Sequence, residues 1–290
     1  MAAAATMSHV PGIVAVARTW LRRNSSIAIG GTLLAVIALL AIFAPLVGTV
    51  DPMAIAPARR LQGPSESHWF GTDMLGRDLY SRVIYGARVS LVIGIGVALL
   101  SAVVGLAIGL VTGFLRRVDN IVMRIMDGLM AIPSVLLAIA LMALTQASIQ
   151  NVIFAITIAE IPRVVRLVRG VVLTLREQAF VEAAIASGTR VPAIIWRHIL
   201  PNTLAPVLVQ ASYICASAIL IEATLSFIGA GTPPSIPSWG NIMAEGRSVF
   251  QIAQSAILFP GVLLSITVLA VNLLGDGLRD AIDPRLSRHM

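Results

Sequence analysis

Side chains that could carry chemistry are few in this chain and stand far apart. It has 14 acidic residues, 4 histidines and 1 cysteine in 290 positions. His9, His68, His198 and His289 have no cysteine or carboxylate set at ligand spacing, so no metal site is indicated. No Ser/His/Asp grouping can be argued either, which removes hydrolysis. All 21 basic residues are arginine. Without lysine the chain can hold neither a P-loop nor a Schiff base. Cys215 lies alone in an apolar run and has no internal disulfide partner. What remains is recognition rather than catalysis. Glu160 and Arg163 stand three apart in Ile158-Ala159-Glu160-Ile161-Pro162-Arg163, so they can pair on one helix face. Glu222 stands by itself in another apolar run. A charge in such a run is costly, and it is usually paired or functional.

The elements that must position these groups follow from composition. Hydrophobic residues make up 57% of the chain and charged residues 12%, against about 25% charged in soluble domains. Mean hydropathy is +0.90. The apolar residues gather in runs of about 20, the length a helix needs to cross a bilayer. The expectation is an all-α polytopic membrane protein with six spans: Ile27–Val47, Val89–Leu115, Ile125–Thr145, Ser148–Val168, Thr203–Ile228 and Ser255–Leu274. The first run is too long for a signal peptide and is expected to be an uncleaved first helix. Residues 1–26 would be cytoplasmic, 27–47 the first span and 48–88 extracytoplasmic. Residues 89–280 would be a core of five spans containing an inner segment, 176–201, and residues 281–290 a cytoplasmic tail. With both termini inside, 15 arginines fall on cytoplasmic segments and flanks, and 6 outside. The net charge of +7 is therefore a topology signal, and nucleic-acid binding is excluded as a function.

Three features lie on or between these spans. Ser101, Gly105, Gly109 and Gly113 recur every four residues and form a small-residue stripe for close helix approach. Asp73, Arg77, Asp78 and Arg82 alternate in sign in the long outer segment and are expected on a surface helix, paired with one another or exposed for docking. A second outer segment, 229–254, carries Pro233, Pro234 and Pro237, which preclude a regular helix there. In the inner segment, Phe180, Ala183, Ala184 and Ser187 share one face of a short helix over Glu177–Ser187, whose polar positions are Glu177, Gln178 and Glu182. Gly188 suits a left-handed cap, Pro192 opens a second short helix and Pro201 ends it. Such a knob fits a docking element for a soluble partner or an interfacial helix. Asp127 and Asp276 lie near cytoplasmic helix ends and read as structural.

The order Glu182-Ala183-Ala184, Gly188, then His198-Ile199-Leu200-Pro201 resembles the EAA loop of binding-protein-dependent ABC permeases. His198, the stretch His68-Trp69-Phe70-Gly71-Thr72-Asp73 with Gly76-Arg77-Asp78, and Gly275-Asp276-Gly277-Leu278-Arg279-Asp280 with Asp283-Pro284-Arg285 resemble the C-type permease subunit of dipeptide and oligopeptide transporters. The resemblance covers about residues 18–290. It implies a type I importer (MetI-like) fold and no catalysis on this chain, with ATP and Mg bound by partner ATPase subunits. The implied partners are a second homologous permease, one or two ATP-binding subunits, an extracytoplasmic peptide-binding protein and membrane lipid. It assigns coupling to Glu182, Ala183, Ala184, Gly188, His198 and Pro201. Glu160 and Arg163, where relatives usually carry small residues, would meet the charged ends of a peptide or simply pair. Glu222 would serve as a gate-side hydrogen bond or touch substrate. Asp73, Arg77, Asp78 and Arg82 would belong to a binding-protein dock or to a paired helix. The alternatives are the same fold importing nickel, glutathione or another small solute, and an ion-driven secondary transporter.

Overall fold

The computed structural model describes residues 24–282, and in that range the fold is helical with no strand beyond one isolated bridge, Thr72 to Asp78. Arg18, Arg22, Arg23 and the Asp283-Pro284-Arg285 stretch lie outside the described residues. The helices are α1 (Ser25–Ile42), α2 (Leu79–Phe114), α3 (Arg116–Met130), α4 (Ser134–Ala143), α5 (Ile149–Arg176), α6 (Ala179–Ala186), α7 (Val191–Ile194), α8 (Leu200–Phe227), α9 (Trp239–Gly246) and α10 (Ser255–Ile282).

The small-residue stripe on α2 determines the main helix pairing. A methyl group on Gly105, Gly109 or Gly113 would stand 2.5, 2.6 and 2.6 Å from the Cβ of Val164, Val168 and Val172 on α5. Two rows with the same four-residue step run in the same direction, so α2 and α5 lie parallel at close range. α8 packs on another side of α2, and α1 lies along α10. Exposed Val92, Ile95, Leu99 and Val103 mark the side of α2 turned away from this core.

Several expected boundaries move. The second span starts at Leu79, ten residues before the apolar run, because Asp78 caps it: its Oδ2 accepts from the Ser81 amide at 2.8 Å. Leu79, Val83, Ile84 and Ala87 of these early turns are buried by protein, so the polar residues among them need not meet lipid. The third span is not one helix. Pro133 breaks it, and α3 and α4 meet at 89°. The fourth, α5, has the length to span, but Glu160 and four arginines dilute its apolar character. Among the described residues, four helices are long and apolar enough to cross a membrane, or five if the bent pair is one span. The six-span count is thus not reached on length and composition alone. Pro201 does not end a second short helix either. The chain runs from α7 through a π turn, Ile195–Ile199, into α8, with Pro201 in its first turn. Proline has no N–H for the carbonyl one turn back. The widened turn accommodates this: Leu200 N donates to Ile195 O, and Asn202 Nδ2 donates to His198 O at 2.7 Å.

Candidate functional site

Three places gather the polar residues singled out in the sequence. The first is the knob formed by α6, α7 and the π turn. α6 ends in a Schellman motif: Gly188 N donates to Ile185 O at 2.9 Å and Thr189 N to Ala184 O at 3.1 Å. Gly188 has φ +76° with nothing near its missing Cβ, so the left-handed backbone alone requires glycine. Val181, Ile194 and Ile199 are buried and fasten the knob to the core. The face formed by Phe180, Ala183, Ala184 and Ser187 is mostly turned away from the core. Ala184 is partly buried, while Phe180, Glu182, Ala183 and Ser187 are exposed, joined by Ile185 and Trp196. His198 is partly buried, its ring 6.1 Å from that of Phe180, and Pro201 is exposed. The knob thus presents exposed apolar side chains together with charges of both signs, Glu182 with Arg190 and Arg197, on a turn held rigid by backbone bonds.

The second place lies between the helices. Glu160 is fully buried, its Oε2 3.1 Å from Arg163 Nη1, and Ser217 Oγ of α8 reaches its Oε1 at 3.5 Å. The pairing read from the three-residue spacing is present. Glu222 is also fully buried but meets only hydroxyls: Ser226 Oγ donates to it at 2.8 Å and Ser90 Oγ of α2 at 3.4 Å. Ser226 continues to Thr232, Ser238 and Asn241, so this network ties α2 and α8 to the outer segment before α9. Asp276 accepts from Tyr213 Oη at 2.5 Å.

The third place corrects an expectation. Asp73, Arg77, Asp78 and Arg82 do not lie on a surface helix. Asp73 and Arg77 sit in the turn before α2, Asp78 caps α2, and Arg82 is in its first turns; all four are buried. Asp73 Oδ2 accepts from Arg77 Nε and from Arg82 Nη1, each at 2.6 Å. Both arginines also reach Glu245 Oε2 of α9 at 2.5 Å. His68 Nδ1 lies 2.9 Å from Asp78 Oδ1. Trp239 is fully buried and donates to Val83 O at 3.0 Å. The result is a clamp holding the outer loops on α2. Its carboxylate from α9, Glu245, was missed because nothing local links it to Arg82, 163 residues earlier. Arg166 and Asp127 were also missed as a pair. Arg166 Nη2 donates to Asp127 Oδ1 at 2.6 Å, across the broken third span.

Residues 82–288 match the family model described as "Binding-protein-dependent transport system inner membrane component". A protein of Sinorhizobium fredii, named a probable peptide ABC transporter permease protein, is 54% identical over 92% of this chain and 91% of its own length. The dipeptide transport system permease protein of Alkalihalophilus pseudofirmus is 43% identical over 92% of this chain and 88% of its own. A glutathione transport system permease protein of Pectobacterium atrosepticum is 41% identical over 93% and 90%. Among solved structures, an inward-facing methionine ABC transporter chain superposes with a TM-score of 0.60 at 20% identity, over 71% of this chain and 98% of that one. At that identity the likeness speaks to the fold.

Proposed function

We propose, from the premise that this chain belongs to the binding-protein-dependent transport system inner membrane component family, that it is a permease subunit of an ATP-driven importer of di- and oligopeptides. It is a multi-pass component of the inner membrane and performs no chemistry of its own. It works beside a second permease, one or two ATP-binding subunits and an extracytoplasmic binding protein. Mg and ATP are held by the ATP-binding subunits. In this reading the chain crosses the membrane six times with both termini inside, the bent α3–α4 pair and α5 being the third and fourth crossings. The arginine distribution supports that orientation.

One observation carries the coupling role: Glu182 and Ala183 stand exposed on a rigid knob that also presents Phe180, Ile185 and Trp196. An exposed aromatic and aliphatic cluster on a rigid turn is what a partner groove binds. In our reading the knob, residues 176–201, seats in an ATPase subunit, so that closure of the ATPase pair drives α5 and α8. Glu182 makes the polar contact, Ala183 and Ala184 allow close approach, Gly188 fixes the turn, and His198 and Pro201 set the exit into α8. Glu160, Arg163 and Glu222 belong to the path or its gate. The set Asp73, Arg77, Asp78 and Arg82 serves the binding-protein dock indirectly, by stiffening the platform on which exposed Trp69 and Leu75 stand. The glutathione permease among the relatives favours a second substrate reading on the same architecture.

The test is to purify the chain with its native partners and reconstitute peptide uptake. Glu182→Arg should leave the permease pair assembled, and should cut ATP-driven uptake by about tenfold through loss of a charged contact of about 1.4 kcal/mol or more. A chain that purifies alone, and moves solute on an ion gradient without ATP, would replace this reading with a secondary transporter.

A further inference from the structure

Buried hydroxyls on the long helices usually bond back to a carbonyl of the turn before. Thr112 Oγ1 donates to Ile108 O at 3.0 Å, Thr203 Oγ1 to Leu200 O at 2.8 Å and Thr267 Oγ1 to Leu263 O at 2.7 Å. Others find a carboxylate, as Ser81 does in Asp78 and Ser226 in Glu222. Ser101 on α2 and Thr157 on α5 do neither. They are 0% and 5% exposed, and among the described residues theirs are the buried hydroxyls without a hydrogen-bond partner. Glu160 Oε2 is without one too: it stands 3.1 Å from Arg163 Nη1, but as an ion pair out of hydrogen-bond alignment.

The register of α2 on α5 brings these groups to one place. A methyl group on Gly105 would meet the Ile161 carbonyl and Val164 Cβ, and one on Gly109 the Val165 carbonyl and Val168 Cβ. One step of four residues back along both parallel helices sets Ser101 against the Thr157 carbonyl and Glu160. Thr157 and Glu160 are three apart and share that face of α5. Ser217 of α8 reaches the same carboxylate, its Oγ 3.5 Å from Glu160 Oε1. The stripe that is glycine at 105, 109 and 113 is thus serine at 101, where the facing residue changes from valine to glutamate.

We infer that Ser101, Thr157 and Glu160 hold an internal water molecule that ties Glu160 to α2. Each buried polar group left unbonded carries its full desolvation cost, and one water relieves all three together. It donates to Glu160 Oε2 and to one hydroxyl oxygen, and accepts from the other hydroxyl. Charge selects water over a cation. Arg163 already balances the carboxylate, and a metal ion would be repelled by that guanidinium. Glu160 then joins three helices: α2 through the water, α5 as its own, and α8 through Ser217. The seam between α2 and α5 is dry along the glycines and hydrated at Ser101.

The experiment is a cryo-EM map of the assembled transporter in nanodiscs, at a resolution that shows ordered water. Density is expected at about 2.5–3.0 Å from Ser101 Oγ, Thr157 Oγ1 and Glu160 Oε2 alike. Thr157→Val keeps the shape of the side chain and takes away one of the three partners. The density should be lost from its map, and the thermal midpoint of the complex should fall. Should that variant fail to assemble, Ser101→Gly, which continues the glycine stripe, is mapped in its place with the same loss expected. A map with no density there, or with Ser101 bonded directly to Glu160, overturns the site. So does density that persists in the variant. A Thr157→Val midpoint that is unchanged or raised also overturns it, because removing a hydroxyl that bonds nothing relieves a cost rather than adding one.

Discussion

Arginine and carboxylate meet at two ends of the molecule in opposite ways. In the outer clamp, Arg77 and Arg82 are 5% and 0% exposed, and they share Asp73 and Glu245 through short bonds. On the inner half of α5, Arg163 and Arg166 each face one carboxylate, with about half their side-chain surface open. The same residue types therefore do different work. Where the arginines are enclosed and share their carboxylates, removing one strands the others, and the group acts as a fastening. Where both partners are open, as in Arg166 with Asp127, the pair costs little to exchange, whereas Arg163 is open but its partner Glu160 is buried.

The sharpest way to break this comparison is Arg82→Met. It leaves Asp73 and Glu245 to Arg77 alone, and loss of one partner of a buried pair costs about 3–5 kcal/mol. The expected outcome is failure of the variant to survive as a monodisperse complex on size exclusion after mild heating. Arg166→Gln, the counterpart on the inner face, should cost under about 1 kcal/mol. Equal losses would erase the distinction between fastening and open face. Next in size is Gly109→Val. Its Cβ would meet Val168 Cβ at 2.6 Å and push α2 away from α5. Overpacking of this kind costs about 1–3 kcal/mol, readable as a lower thermal midpoint in detergent. The smallest effect is expected for Glu222→Gln. The amide keeps an acceptor for Ser226 Oγ and adds donors that the neighbouring hydroxyl oxygens can accept. Its thermal midpoint should hardly move, because every hydrogen-bond partner keeps a bond. Glu222→Leu, which leaves Ser90 and Ser226 without their acceptor, should cost about 1–3 kcal/mol. A large loss for the glutamine variant would give Glu222 a role beyond holding the outer segment.

Much of this was legible in order along the chain. The four-residue step of Ser101, Gly105, Gly109 and Gly113 called for a close helix neighbour, though not which one. The Glu160–Arg163 spacing implied its ion pair, and Gly188 its left-handed turn. Arg166 and Arg169 were visible at three-residue spacing from Arg163 too, but those two counted only toward topology, because nothing local says which of them a carboxylate from α3 encloses. The start of α2 was misplaced for a related reason. Hydropathy reports what lipid would touch, and the first turns of α2 are sheathed by protein.

By itself the sequence determined the class of the protein: helices for a bilayer, no lysine for phosphate chemistry, and a capped inner knob. These depend on composition and on contacts within a few residues, whose energetics are local. Only the tertiary structure decided which charges are fastenings and which are open. That depends on distant pairs such as Arg82 with Glu245 and Arg166 with Asp127. A charge's cost is set by what surrounds it in space, and spacing along the chain carries no record of that.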